Sequence, residues 1–134
     1  MPQFIKRFLE WIALKEKIET TSSTNKSFKE GEVWMAYCGE NVGYEVSGKN
    51  RFFHRPVVIL KKLNSQLFYG LPTTTKVKSH LPFQRPYVFQ GKEVAGLIFQ
   101  IRSLSVKRLH YKMGELPESD LEYLRSEILT LLKK

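Results

Sequence analysis

The sequence contains little of what several classes of protein require. Cys38 is the only cysteine among 134 residues, so neither an intramolecular disulfide nor a cysteine zinc cluster can form, and a reducing compartment fits best. Asp120 is the only aspartate beside twelve glutamates. Nucleases that hold two magnesium ions use several convergent carboxylates, usually rich in aspartate. The composition therefore predicts that any cleavage of nucleic acid proceeds without a metal, and we expect no cofactor.

Long apolar runs are also absent. The longest, around residues 57–60, falls far short of the roughly 20 residues that a membrane-spanning helix needs. The apolar residues near the N-terminus are interrupted by Lys6, Arg7 and Glu10, so they do not form the unbroken core of a signal peptide. We expect a soluble, cytoplasmic protein that does not associate with membranes.

Positive charge is in excess. Lys and Arg together number 22 against 13 acidic residues, which gives a formal net charge of +9. This excess favours a polyanionic partner, either nucleic acid or an acidic protein. The alternative is that the surplus positive charge serves only the solubility of the protein. Hydrophobic residues make up 42% of the chain, enough for one packed core in a chain of this length.

The N-terminal segment has helical periodicity. Apolar residues recur there at positions 4, 5, 8, 9 and 12, which predicts an amphipathic helix over residues 2–19. The polar run over residues 20–27 predicts a linker. We therefore divide the chain into an N-terminal helix with its linker, residues 1–27, and a main domain, residues 28–134. We expect the helix to dock on its own domain or on a second copy.

From residue 28 onward the pattern is typical of strands. Strands are predicted at residues 32–37, 56–60, 66–71, 87–90, 94–102 and 109–116. Residues 117–120 then open a helix, whose apolar face is formed by Leu121, Leu124, Ile128, Leu131 and Leu132. The predicted fold class is mainly β with helices (α+β), a small barrel or strongly bent sheet closed by the C-terminal helix.

Two long connections, residues 38–54 and 73–86, exceed the ~12–15 residues usual for structureless loops, which favours a functional role. Polar residues cluster at strand ends beside them: Glu45, Arg55, Thr73, Thr74, Thr75, Lys76, Gln100 and Arg102. Guanidinium groups suit phosphate geometry, hydroxyls can orient a phosphate oxygen, and a carboxylate can accept a proton. The alternative is structural: Arg55 pairs with Glu45 on the surface, and the threonines are there as strand formers. The three histidines share no metal-ligand spacing.

The order of the motifs resembles the PemK/MazF toxin family over residues 28–134. The motifs that carry this resemblance are Gly31-Glu32-Val33-Trp34, Gly43-Tyr44-Glu45, Arg55-Pro56-Val57-Val58-Ile59-Leu60, Pro72-Thr73-Thr74-Thr75-Lys76, Gln100-Ile101-Arg102-Ser103, Lys107-Arg108-Leu109 and Met113-Gly114-Glu115-Leu116. The resemblance implies an SH3-like barrel that forms homodimers. It also implies a metal-independent endoribonuclease that cuts single-stranded RNA at short sequence motifs, using the 2′-hydroxyl of the RNA as nucleophile, and an acidic antitoxin that neutralises it.

The resemblance also implies roles for individual residues. Arg55 matches the catalytic arginine that stabilises the charge on the phosphorane, and Thr74 matches the hydroxyl residue that holds the scissile phosphate. Glu45 matches an acidic position, as a base or as the group that orients Arg55. The residues assigned to RNA binding are Thr73, Thr75, Lys76, Gln100, Arg102 and Tyr44, the last as a stacking ring.

The sequence departs from the family pattern at three positions. Ser105 stands where many relatives carry an aspartate, and Leu97 and Phe99 stand where some plasmid-borne relatives carry an arginine and an acid. Roles that depend on those side chains do not transfer to this chain. Two alternatives from other classes stay open: a toxin of the same fold that poisons DNA gyrase by binding it, and a nucleic-acid-binding barrel without activity.

Overall fold

The fold was obtained as a computed structural model that describes residues 7–78 and 80–133. Two helices and seven strands follow one another within these described ranges, with 3-10 turns at Ile98–Gln100 and Val106–Arg108. The elements are α1 Phe8–Thr21, β1 Glu32–Tyr37, β2 His54–Lys62, β3 Leu67–Thr74, β4 Gln84–Phe89, β5 Lys92–Leu97, β6 Arg102–Ser105, β7 Leu109–Glu115 and α2 Glu118–Lys133. The mixed α+β class is therefore confirmed.

All the strand pairs are antiparallel and form one bent sheet in the order β4-β5-β3-β2-β1-β7, with β6 paired to β3. Within the described ranges no ladder joins β4 to β7, although the Gln90 side-chain amide at the end of β4 donates to the Met113 carbonyl of β7 at 2.8 Å. The sheet thus curls so that its two edges approach without pairing. The SH3-like barrel stays a prediction.

The central strand β2 is buried on both faces. Val57 and Ile59 point into one apolar cluster together with Trp34 of β1, whereas Val58 and Leu60 point into a second cluster with α2. Alternate residues of a strand face opposite sides, so a strand covered on both sides needs a continuous apolar run. The run at residues 57–60 satisfies this requirement, and it fixes β2 in the middle of the molecule.

Helix α2 closes the second cluster. Leu121, Leu124 and Ile128 recur at helical spacing and are buried against the sheet, as predicted. Arg125 on the same helix donates from Nε to the Leu60 carbonyl at 3.1 Å and from Nη2 to Glu30 at 2.8 Å. These bonds tie the helix to the end of β2.

Helix α1 docks with a face that the sequence did not indicate. Trp11 and Ile18 are buried, whereas Phe8, Leu9 and Ile12 are exposed, so the predicted apolar face is wrong for these three positions. Phe4 and Ile5, which completed that face, lie outside the described residues. Docking on the same chain is confirmed, and the helix extends to Thr21, two residues into the predicted linker. The division at residue 27 stays a prediction. In the part of the chain that the structure covers, no helix has the length and apolarity to cross a membrane.

The predicted strand over residues 94–102 is also wrong. The chain forms β5 up to Leu97, turns through a 3-10 helix at Ile98–Gln100, and resumes as β6. Both strands run along the same edge of β3, where Thr74 pairs with Ala95 and Gly70 pairs with Arg102. The side chain of Ile98 is buried in the turn, so the apolar pattern continues where the backbone leaves the sheet.

The packing of α2 can be tested with a matched pair of truncations. Leu124→Ala removes a fully buried side chain, and we expect it to lower the free energy of unfolding by about 2–5 kcal/mol because it leaves a cavity. Leu129→Ala, on the exposed side of the same helix, should change it by no more than about 0.5 kcal/mol. Urea unfolding measures both, and equal losses would contradict this packing.

Candidate active site

The pairing of β2 with β3 places two of the predicted site residues at adjoining strand ends. Val57 pairs with Pro72 in this ladder. Arg55 and Thr74 each lie two residues beyond this last pair of the ladder, on the same face of their strands. Thr74 ends β3 with a side chain that is only 7% exposed, and Arg55 stands near the start of β2. The strand ends therefore bring a guanidinium and a hydroxyl to one place.

The long connection between β1 and β2 holds the Arg55 side chain in position. Its Nε donates to the backbone carbonyl of Ser47 at 2.6 Å. The connection is itself closed at its base, where the amide of Cys38 donates to the carbonyl of Phe53 at 2.8 Å. Burial lowers the pKa of Arg55, opposed by the nearby Cys38 thiol. Arg55 is thus anchored through Nε by a loop carbonyl.

Further cations surround this arginine. Arg55, Arg102 and Arg108 all act on the buried Cys38, whose pKa is raised by burial and lowered in part by these three charges. Arg108 donates to the carbonyl of Tyr37 at 2.9 Å, and burial and the charge of Arg102 lower its pKa. Burial, together with the charges of Arg55 and Lys76, also lowers the pKa of Lys49.

No carboxylate balances these charges. Among residues 7–78 and 80–133, the five cations Lys49, Arg55, Lys76, Arg102 and Arg108 have no acidic group within 4.0 Å. In particular, no ion pair joins Arg55 to a glutamate in that part of the chain. Like charges that depress one another's pKa values are stabilised when an anion binds between them. The arrangement is suited to a phosphate group.

Gln100 fastens the same loop from the other side. Its Nε2 donates to the carbonyl of Tyr44 at 2.9 Å, and its Oε1 accepts from the amide of Val46 at 3.2 Å. Glu45 lies between these two contacts, is exposed, and accepts the amide hydrogen of Val42 at 3.0 Å. The Tyr44 ring is fully exposed. Glu45, Gln100 and Arg102 line one cavity of about 320 Å³.

The other threonines of the predicted motif are separated from Thr74. Thr73 is only 2% exposed, and its hydroxyl shares a hydrogen bond of 2.7 Å with the Tyr87 hydroxyl. Thr73 and Thr75 line a cavity of about 190 Å³ together with Tyr87, on the face opposite Thr74. The amide of the exposed Lys76 donates to Thr74 Oγ1 at 3.1 Å. The structure thus brings Lys76, but not Thr73 or Thr75, to the hydroxyl of Thr74.

A histidine pair lies beside the site. His54 precedes Arg55, is buried, and its Nε2 lies 2.9 Å from Nδ1 of His110. Burial, and then the neighbouring His110, lowers the pKa of His54 to about 4. The ring packs against Tyr37 and Phe52. In the described part of the chain no group of three or more His, Cys, Asp and Glu side chains is arranged to hold a metal ion.

Sequence reasoning missed three contributors to the site. Ser47 acts through its carbonyl, so its residue type gives no signal. Lys49 lies in the predicted functional loop, but its position depends on the loop's path. Arg108 was present only within a motif. It ends the 3-10 turn Val106–Arg108, between the buried residues Val106 and Leu109, and this apolar setting was the available indication that its charge is held close to the core.

Comparison with known proteins identifies the relatives of this arrangement. The sequence profile of PemK-like, MazF-like toxins of type II toxin–antitoxin systems matches residues 29–132. No curated protein matches the chain in sequence.

Solved structures share the fold. MazF (Form-I) from Deinococcus radiodurans is 21% identical with a TM-score of 0.62, covering 82% of this chain and 100% of that one. The MazE–MazF complex (Form-II) from the same organism is 19% identical with a TM-score of 0.56, covering 81% and 97%. An endoribonuclease in complex with its cognate antitoxin, from a mycobacterial species, is 14% identical with a TM-score of 0.57, covering 80% and 96%.

The histidine pair gives a pH prediction. The pKa of His54 is about 4 in the folded protein against 6.5 ordinarily, so the unfolded chain takes up this proton first. The free energy of unfolding should therefore be fully maintained above about pH 6.5 and fall as the pH drops towards 4. An NMR titration should find the His54 midpoint near 4, and urea unfolding of His54→Gln should lack this part of the pH dependence. A midpoint near 6.5 would contradict the buried pair.

Proposed function

This chain belongs to the family of PemK-like, MazF-like toxins of type II toxin–antitoxin systems, and from that premise we propose that it is an endoribonuclease that cleaves single-stranded RNA at short sequence motifs without a metal. The observation that carries the proposal is the group of cations around Arg55, none of which has a carboxylate within 4.0 Å in the described part of the chain, at the strand ends where Arg55 and Thr74 lie. Its cleavage of mRNA would inhibit translation and growth.

The proposed reaction is an internal transfer within the RNA. The 2′-oxygen attacks the adjacent phosphorus, its proton passes to a base, and the bond from phosphorus to the 5′-oxygen breaks as that oxygen takes up a proton. The products are a 2′,3′-cyclic phosphate and a 5′-hydroxyl. Because the nucleophile belongs to the substrate, the protein mainly has to orient the phosphate and stabilise the charge that develops on it.

Arg55 is assigned to stabilise the charge that develops on the phosphate. Its Nε is held by the Ser47 carbonyl, which leaves the two terminal nitrogens of the guanidinium to donate to phosphate oxygens in the fork geometry that this group provides. A guanidinium stays protonated under ordinary conditions, so we assign it to electrostatic stabilisation and not to proton transfer. Arg102 and Lys76 add positive charge in the same region.

Thr74 is assigned to hold the scissile phosphate. Its hydroxyl already accepts the Lys76 amide hydrogen, which leaves its own hydrogen to be donated to a phosphate oxygen. Glu45 is assigned as the base. It is exposed on the loop that Gln100 holds in place by hydrogen bonds, and its carboxylate can accept the 2′-hydroxyl proton once RNA is bound.

RNA binding is assigned to the residues around this centre. The exposed ring of Tyr44 offers a surface on which an unpaired base can stack. Gln100 and Arg102 line the neighbouring cavity. Thr73 and Thr75 are assigned an indirect part, as residues that stabilise the end of β3, because the Thr73 hydroxyl is already hydrogen-bonded to Tyr87.

The proposed partners are RNA, a second copy of the chain and an acidic antitoxin. The similar structures include a MazE–MazF complex and an endoribonuclease with its cognate antitoxin, which supports an antitoxin here. The net charge of +9 suits either anionic ligand. We also propose that the chain forms a homodimer, that its sheet closes into an SH3-like barrel, and that the protein is cytoplasmic.

Arg55→Ala should slow the chemistry strongly while leaving the fold intact. Losing the group that stabilises the developing charge should lower kcat by about 10²–10³-fold. Lys61→Ala is the matched control, because it removes one positive charge from the exposed end of the same strand. Cleavage of a defined RNA in EDTA, with analysis of the fragment ends, measures both variants.

Three outcomes would contradict this assignment. If the wild type arrests growth but leaves RNA intact, the protein is a toxin of another kind, such as a gyrase poison. If it binds RNA without cleaving it and without arresting growth, it is an inactive binding domain. If Arg55→Ala cleaves as fast as Lys61→Ala, the site is elsewhere.

The Thr74 hydroxyl can be tested by substitution at constant shape. Thr74→Val keeps the volume and removes the hydroxyl, and we expect cleavage to slow by about 10- to 100-fold because one phosphate contact is lost. Thr74→Ser keeps the hydroxyl and should retain most of the activity. Equal activity of the two variants would show that the hydroxyl makes no contact with the reacting phosphate.

A further inference from the structure

We propose that α1, which precedes the segment matched by the family profile, is a clamp that positions the catalytic arginine, with Trp11 as its principal positioning residue. The clamp acts on the loop over residues 38–53, which connects β1 to β2 and carries Ser47. Its effect on catalysis rests on the function proposed above, whereas its effect on the loop does not.

Trp11 of α1 packs against both ends of this loop. It is only 5% exposed, and its ring centroid lies 5.5 Å from that of Phe53 at the loop's far end. At the near end, Gly39 leaves the space for the indole: a Cβ at that position would lie 2.5 Å from the Trp11 ring. One aromatic side chain thus contacts both ends of the loop at once.

Polar contacts fix α1 at its two ends. The Arg7 guanidinium donates from Nη1 to the Asn50 carbonyl at 3.0 Å and stacks over Phe53 at 4.3 Å, and the Arg7 amide donates to Glu40 at 2.7 Å. At the other end of the helix, Lys107 Nζ donates to the Glu19 carbonyl at 2.8 Å. The helix is therefore held by the loop at its N-terminal end and by the 3-10 turn Val106–Arg108 at its C-terminal end.

A short path of contacts leads from Trp11 to Arg55. Gly39, beneath the indole, accepts the amide hydrogen of Gly48 at 2.7 Å. Gly48 follows Ser47, whose carbonyl holds Arg55 Nε at 2.6 Å. Gly48 is also packed so closely on Phe53 that a Cβ there would meet the Phe53 carbonyl at 1.7 Å. The position of the Ser47 carbonyl therefore depends on the same two residues, Gly39 and Phe53, that Trp11 covers.

A loop of this length needs such a restraint. Ordering each residue of a flexible segment costs conformational entropy, and few side chains of this loop reach the core. Burial of a tryptophan against it supplies apolar contact area that the loop lacks. Since a misplacement of about 1 Å can lower a rate by about 10²-fold, the order of this loop bears directly on the chemistry at Arg55.

The test compares Trp11→Ala with Leu9→Ala, a truncation on the solvent side of the same helix, where the side chain is 86% exposed. Trypsin reports on the loop, because Lys49 and Arg51 lie within it. We expect Trp11→Ala to speed cleavage after these two residues at least tenfold, and to lower kcat for RNA by about 10- to 100-fold with little change in KM. Leu9→Ala should match the wild type, and Trp11→Phe should recover much of both properties.

Each result decides the proposal. Unchanged trypsin cleavage of the loop in a folded Trp11→Ala protein overturns the clamp, and faster cleavage with unchanged kcat overturns its role in positioning Arg55. If circular dichroism shows Trp11→Ala unfolded, Arg7→Ala carries the test: it should speed cleavage of the loop, and an unchanged rate overturns the clamp. If the wild type does not cleave RNA, the proposed function fails, and the trypsin comparison still tests the clamp on its own.

Discussion

The antiparallel register between β2 and β3 is the constraint on which the rest of the structure depends. It is fixed because Val57 and Val58 enter different apolar clusters, so a slip of one residue would turn every buried side chain of β2 to the wrong face. The same register decides which residues meet where the strands end. Arg55 and Thr74 lie two residues beyond the last pair of this ladder, so the packing inside the core sets them at adjoining strand ends.

The second constraint is electrostatic. Burying a charge without a partner costs free energy, yet Arg55 and Arg108 are held partly buried with backbone carbonyls as their hydrogen-bond acceptors and no carboxylate nearby in the described chain. A fold under selection for stability alone would pair them with glutamates, as it does Arg125 with Glu30. Unbalanced cations that are kept in place by carbonyls are typical of a site that binds an anion.

The regular elements were predictable where one local pattern governs one element. Strand β1 was predicted with its observed bounds, because a glycine precedes its apolar run and a long loop follows it. The strand predicted over residues 94–102 was wrong, because Ile98 continues the apolar pattern through a turn that only the edge of β3 explains. The docked face of α1 was predicted wrongly because Trp11 is buried by a loop that is distant in sequence.

The sequence by itself determined the types of side chain available: an excess of positive charge, one aspartate, one cysteine, and Arg55 and Thr74 within motifs that resemble a toxin family. Only the tertiary structure decided which of them meet. It set Thr74 beside Lys76 while turning Thr73 to Tyr87, and it gave Arg55 a backbone carbonyl as its anchor. The reason is physical: composition and spacing act locally, whereas register, burial and loop path depend on residues that are distant along the chain.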